Sequence, residues 1–357
     1  MPTVTSHSST RRRRVAVPVL AACLTVLVMG LSLVRVLLGD YTIAFVDFFR
    51  ILGGEEIPGA GPARFIVMSD RLPKVVLGVL AGAAFALSGT IFQLLLRNPL
   101  ASPDVVGVSA GASLFVVIGL ASFSLNGIHQ VGAALAGGFS SAILVWLLSR
   151  GRRRSRHGVG SPHSVGAQAS SSVKFVLVGI GVSAVATSLV TYMMLRMHIG
   201  QTSDAVLWTR GSLSMATWDR VQYMAVLLVI CVVLLSLLAR NLHMLSSGDE
   251  LAHGLGVNVP ATRRALLCLA VILVAGATAL TGPIMFVGFM AGPLVRLVLR
   301  GRDSLICSAL VGALLVITAE VVGSMLMPRT VPVGVITGIV GVPVLLSLIL
   351  TRTIRKT

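Results

Sequence analysis

Apolar and polar positions fall along this chain in long blocks, with helix-length apolar runs separated by short clusters rich in Arg, Pro, Gly and Ser. The hydrocarbon core of a bilayer is about 30 Å thick, so a helix needs about 20 apolar residues to cross it. By that measure the pattern predicts ten spans, at 15–38, 72–96, 104–122, 127–149, 173–197, 218–239, 261–281, 283–299, 304–326 and 333–351. The interruptions are specific. Arg97-Asn98-Pro99-Leu100 closes the second run and Ser102-Pro103-Asp104 opens the third. Both prolines forbid a continuous helix there and force a tight link. The expected fold is all-α and polytopic, with one transmembrane domain over 15–357. Residues 1–14 read as a polar, disordered tail, 39–65 as a long Gly- and Pro-containing loop, and 150–172 as a flexible basic loop.

Composition agrees. The chain has 357 residues, of which 55% are hydrophobic and only 11% charged, against about 25% charged in soluble domains. Its net charge of +17 would suit nucleic acid, but successive spans leave no room for a soluble basic domain. The basic residues instead fall unevenly between alternate loops. With the N-terminus inside, 20 of the 29 Lys and Arg residues lie at cytoplasmic ends, as the positive-inside rule requires. Both termini are therefore expected in the cytoplasm. Arg11 to Arg14 and the Leu20-Ala21-Ala22-Cys23 stretch imitate a signal peptide. The apolar run continues to Leu38, which predicts an uncleaved first span.

Several motifs lose their usual meaning in this setting. Gly107-Val108-Ser109-Ala110-Gly111 fits the G-x-S-x-G pattern of serine hydrolases. That chemistry needs a strained turn and a histidine base, whereas this motif sits in an apolar run and is expected to pack helices. Gly78/Gly82 and Gly334/Gly338 have the G-x-x-x-G spacing of closely packed membrane helices. Cys23, Cys231, Cys268 and Cys307 lie in apolar runs without paired spacing, and His157 and His163 lie in a loop without supporting ligands. No phosphate-binding loop of the G-x-x-x-x-G-K-[ST] type occurs, so ATP is not expected to bind to this chain.

Two features carry candidate function. Glu320 interrupts the apolar run from Leu305 to Met327. A charge in a span is costly, and the favoured expectation is a water-facing residue on a pathway or at its outer mouth. A hydrogen bond to a neighbouring helix and a proton-coupling carboxylate remain alternatives. Residues 240–260 are polar yet retain short helical patterning, interrupted at Gly248 and Gly256. They fit either an amphipathic loop or a pair of short helices that seat in a groove on another protein.

The order of these blocks resembles the membrane permeases of ABC importers for iron–siderophore complexes, haem and cobalamin, the FecCD family. The resemblance runs from about residue 66 to 351. It is carried by Arg71-Leu72-Pro73-Lys74 and Arg97-Asn98-Pro99-Leu100, by Leu207-Trp208-Thr209-Arg210-Gly211-Ser212-Leu213, and by Gly248-Asp249-Glu250-Leu251-Ala252 with Leu255-Gly256. Gly282-Pro283-Ile284-Met285-Phe286-Val287-Gly288, Val331-Pro332-Val333-Gly334 and Gly341-Val342-Pro343 complete the series. The chain departs from the family at Gly292-Pro293, at Glu320 in place of an aspartate, and at Ser324 in place of an arginine.

The resemblance implies a non-enzymatic subunit without a cofactor or metal of its own, in the bacterial cytoplasmic membrane. Its implied partners are a second permease subunit, identical or homologous, two cytoplasmic ATPase subunits that bind ATP and Mg, and an extracytoplasmic substrate-binding protein. The implied cargo is an Fe(III)–siderophore, with cobalamin or haem as alternatives. Site roles follow by position: Asn98, Pro99, Leu100 and Ser172 as the cytoplasmic gate, and Gly248, Asp249, Glu250, Ala252, Leu255 and Gly256 as ATPase-coupling residues within 245–258. Arg71, Lys74 and Arg329 would receive the binding protein, and Glu320 would line the pathway or outer mouth. A proton-coupled secondary transporter is the rival from another class.

Overall fold

The computed structural model describes residues 7–39, 41–54, 61–99, 101–104, 107–123, 125, 127–149, 165–327 and 330–354. Regular structure among them is helical throughout: α1 (His7–Leu37), α2 (Phe45–Leu52), α3 (Gly61–Phe65) and, after a π-helical turn at Ile66–Arg71, α4 (Leu72–Leu95). Then come α5 (Val108–Phe123), α6 (Ile128–Ser149), α7 (Val165–Arg196), α8 (Ile199–Thr209), α9 (Trp218–Ser247) and α10 (Asp249–Gly254). The series ends with α11 (Val259–Thr281), α12 (Val287–Val298), α13 (Leu305–Val321, with a π-helical turn to Leu326) and α14 (Val333–Ile354). Each of the ten predicted spans holds a helix, and seven helices among the described residues have the length and hydropathy to cross a bilayer. The chain is an all-α polytopic membrane protein.

Boundaries differ where local polarity misleads. α1 begins at His7 and α7 at Val165, so both helices extend into segments expected to be disordered or flexible. Backbone hydrogen bonding propagates cheaply from an established helix, even through polar residues. Conversely, α12 starts only at Val287, after a non-helical stretch in which Gly282 and Phe286 both have positive φ. Gly282 and Pro283 together explain that late start, since Pro283 cannot donate to a helix ladder. Of the cysteines, Cys23 and Cys268 are exposed and Cys231 and Cys307 buried, and all four are free thiols.

By contacts the chain divides into two compact units. The first contains residues 1–90, 212–229 and 284–357. In it α13 packs against α1, α12 and α14. Leu24, Ala86, Ala291, Val295, Cys307 and Val311 form one buried cluster. In a second cluster α2 folds back over the end of α1, placing Phe48 and Ile51 against Val36, Val67 and Ile317. α4 crosses its neighbours at backbone contact. A Cβ added to Gly82 would lie 2.5 Å from the Gly312 carbonyl oxygen, and one on Gly89 would lie 1.9 Å from that of Gly288. The expected G-x-x-x-G packing therefore holds at Gly78 and Gly82, whereas Gly338 has open space beside it in this chain.

The second unit contains residues 91–211 and 230–283. Here α5 lies against α6, α7 and α11, and α11 also packs on α6. The G-x-S-x-G motif serves that packing. Gly111 faces the backbone of Gly137 on α6, and Ser141 donates to the Gly107 carbonyl at 2.8 Å. Ser109 donates to Asp104 at 2.7 Å, so its hydroxyl is engaged locally.

Candidate functional site

A connected polar cluster among the described residues of the second unit begins at the end of α4. There Asn98 N–H donates to Gln93 O at 3.1 Å and Arg97 N–H to Leu94 O at 3.4 Å, the paired bonds of a Schellman ending. Arg97 has φ +49, a left-handed conformation that favours glycine and costs other residues about 1–2 kcal/mol. Its side chain shows what occupies it. The guanidinium donates twice to the Leu245 carbonyl, at 3.3 and 2.9 Å, and also to the Asp249 carboxylate. Leu245 lies in the last turn of α9, whose carbonyls lack helical partners and attract cations.

Asp249 opens α10 and takes two further bonds from Arg263 on α11, at 2.9 and 3.0 Å. Its carboxylate therefore engages two arginines of its own chain. Ala252 is fully buried and packs within the chain. The exposed residues of α10 are Glu250, Leu251, His253 and Gly254, followed by the exposed Leu255. The first of the two short helices expected in 245–258 is also absent, because α9 continues unbroken to Ser247 with Leu242 and Leu245 buried. Gly248 connects the two helices at φ +149. Beyond α10, Gly256 at φ +82 accepts the reversal, and Val257 N–H reaches back to Ala252 O at 3.0 Å.

Of the expected gate, Asn98 and Pro99 lie in the link after α4, where the Asn98 carbonyl accepts from Ala101 N–H at 3.1 Å. Leu100 and Arg329 lie outside the described residues. Ser172 falls within α7 and not in a loop, because that helix starts early.

The docking and pathway residues are differently employed in the first unit. Arg71 is 4% exposed and donates to the Val36 and Tyr41 carbonyls, both at 2.7 Å. It caps the end of α1 and holds the following loop, so the expectation of an outward-facing docking cation is corrected. Lys74 is half-buried and pairs with Asp70 one turn earlier. Glu320 is 8% exposed and accepts from Arg35 Nη2 at 3.0 Å and Nε at 3.2 Å. That corrects the water-facing expectation, since a buried carboxylate needs a counter-charge and α1 supplies it. Ser324 donates to the Glu320 backbone carbonyl at 2.6 Å and adds no charge there.

The model of the FecCD transport family matches residues 24–351. The chain belongs to that family. It is 34% identical over 293 residues to the ferric enterobactin transport system permease protein FepG of Escherichia coli, covering 82% of this chain and 84% of the relative. It is 36% identical over 299 residues to the hemin transport system permease protein HmuU of Yersinia pestis, covering 80% and 84%. A solved chain described as a metal-chelate type ABC transporter in an inward-facing conformation shares the fold, with TM-score 0.76 and 24% identity over 94% of this chain and 99% of that one. Family members are transmembrane permease subunits, so the chain is a transporter subunit and not an enzyme, and the family context implies partners of permease, ATPase and binding-protein type.

Sequence reasoning missed Arg35 and Arg263 as individual residues and, for Arg97, missed its partners, although all three were visible as charges at helix ends. What distinguishes them is their acceptors, which for Arg35 lie 285 residues away. A buried acid such as Glu320 does signal that some basic partner exists, and the single arginine in the apolar run of α1 was the candidate.

Proposed function

We propose that this chain forms half of the translocation channel of an ATP-driven importer for an Fe(III)–siderophore, with cobalamin or haem as competing cargoes. The single observation that carries the reading is the family match across residues 24–351. Likeness to a ferric enterobactin permease supports the cargo class. Spans rich in Gly, Ala, Ser and Met also suit a bulky chelate that presents an organic shell.

In this reading the chain lies in the cytoplasmic membrane with both termini inside and pairs with an identical or homologous permease. Two ATPase subunits, which hold ATP and Mg, dock from the cytoplasm, and a binding protein delivers cargo from outside. ATP supplies the differential affinity that moves the channel between inward- and outward-facing states. The exposed Glu250, Leu251 and Leu255 form the ATPase-facing surface, Gly248 and Gly256 set its angle, and the link at Asn98–Leu100 forms the gate. Ser172 serves as a second constriction. On the outer side, Lys74 and Arg329 remain docking candidates. The proton-coupled alternative is weakened by Arg35, because a carboxylate with a fixed counter-charge has no need to take up a proton.

Growth under iron limitation tests the cargo. A deletion strain should lose use of at least one siderophore and regain it on complementation. Loss of cobalamin or haem use with intact siderophore uptake would reassign the cargo. Gly256→Val tests the coupling surface separately. A β-branched residue in the left-handed region is strained, while no neighbouring atom lies within 4 Å of the added Cβ. The variant should insert normally yet lose most ATP-driven uptake in proteoliposomes, and normal uptake would remove this turn from the coupling surface.

A further inference from the structure

We propose that Asp249, bridged to Arg97 and Arg263, is the pin that makes α10 move together with the Asn98–Pro99 link that follows α4. The proposal rests on the importer reading and adds a positioning role for three residues that the reading leaves without one.

The first argument is connectivity. α10 has six residues and joins α9 through Gly248 at φ +149, a hinge with little intrinsic stiffness. Without side-chain ties, a partner pressing on Leu251 and Leu255 would swing α10 about that hinge. The Asp249 carboxylate removes this freedom by taking bonds from Arg97 at the end of α4 and from Arg263 on α11.

The second argument is the backbone at Arg97. Its position in the Schellman ending favours glycine, yet an arginine is held there at φ +49. The strain is sustained by a side chain that grips two elements at once, the last turn of α9 through Leu245 O and the first residue of α10 through Asp249. Asn98 is the next residue. A displacement of α10 therefore reaches the Asn98–Pro99 link through one side chain, with no intervening loop to absorb it.

The third argument is charge. Two guanidiniums share one carboxylate, and both Arg side chains are about 37% exposed while that of Asp249 is 16% exposed. Removing Asp249 alone leaves two cations facing each other, so the cluster separates instead of relaxing. A tie of this kind is stiff while intact and fails as a unit, as a transmitting contact must.

The test uses the complete importer in proteoliposomes, reading cargo transported per ATP hydrolysed. Arg97→Cys and Asp249→Cys are combined in a background with Cys23, Cys231, Cys268 and Cys307 replaced. The complex should assemble, because the exposed face of α10 is untouched, and transport per ATP should fall at least fivefold. A short bifunctional thiol cross-linker should restore the ratio to within twofold of the parent, because it rebuilds the tie without its charge. An undiminished ratio before cross-linking, or no recovery after it, overturns the proposal. Should the double variant fail to assemble, Arg97→Gln leaves the Asp249–Arg263 bonds in place and should still lower the ratio severalfold, and an unchanged ratio there overturns the proposal equally. Absence of ATP-driven uptake by the parent complex would instead refute the importer reading.

Discussion

Gly89→Ala should destabilise the protein by at least about 3 kcal/mol, the upper end of the usual cost of overpacking a core. The new Cβ would lie 1.9 Å from the Gly288 carbonyl oxygen, 2.4 Å from its carbon and 2.7 Å from its Cα. These are backbone atoms, so no rotamer change can make room. Gly288 is itself confined, since a Cβ there would lie 2.8 Å from Phe85 O. Relief therefore requires α4 and α12 to separate, which opens a gap along their whole contact. Thermal unfolding in detergent measures the loss, with Gly30→Ala as the control because nothing lies within 4 Å of that Cβ. The control should lose no stability and gain at most about 1 kcal/mol, because alanine replaces a glycine inside helix α1. Equal midpoints for the two variants would show that α4 and α12 are not in contact as described.

Glu320→Ala should cost about 3–5 kcal/mol, because it strands a buried guanidinium without its counter-charge. Arg35 is 7% exposed and donates both Nε and Nη2 to the same carboxylate oxygen. Replacing both residues by leucine should recover most of that loss, since the pair's mutual attraction barely repays its desolvation. Denaturation midpoints of the two single variants and the double variant complete the cycle. If the double variant is no more stable than Glu320→Ala, the two side chains are not energetically coupled. Uptake by the double leucine variant adds a functional answer, because survival of transport without any carboxylate at 320 would exclude proton coupling there.

Hydropathy made the ten helices legible, because each must individually match the thickness of the bilayer. It failed at their ends. The segment Arg240–Ser247 is too polar to extend a predicted span, yet α9 continues through it with Leu242 and Leu245 buried. Likewise, apolar residues at Ile284 and Met285 suggested helix where Gly282 and Pro283 keep the chain non-helical. Hydrophobicity reports the environment of a segment, whereas its conformation there is set by caps and breakers.

Charged sites were less legible for a different reason. Arg71, Arg97 and Asp249 stand in family-like blocks that drew attention to them, but a sequence motif does not say whether a side chain points outward or inward. Arg71 serves carbonyls at positions 36 and 41, and Arg97 serves position 245. These partnerships depend on tertiary proximity that no local pattern encodes. Glycine contacts fared better, since small residues at helical spacing already imply a close crossing.

The length of α9 has a mechanical consequence. Its 30 residues extend about 45 Å at 1.5 Å per residue, against a hydrocarbon core of about 30 Å. Unless strongly tilted, the helix must stand proud of the lipid, and its polar final turns are suited to do so. An upright span of that length would carry its final turns, and with them the Gly248 junction to α10, clear of the hydrocarbon. In the importer reading, bilayers that change its tilt should raise or lower α10, so lipid thickness becomes a dial on how well an ATPase subunit would engage it.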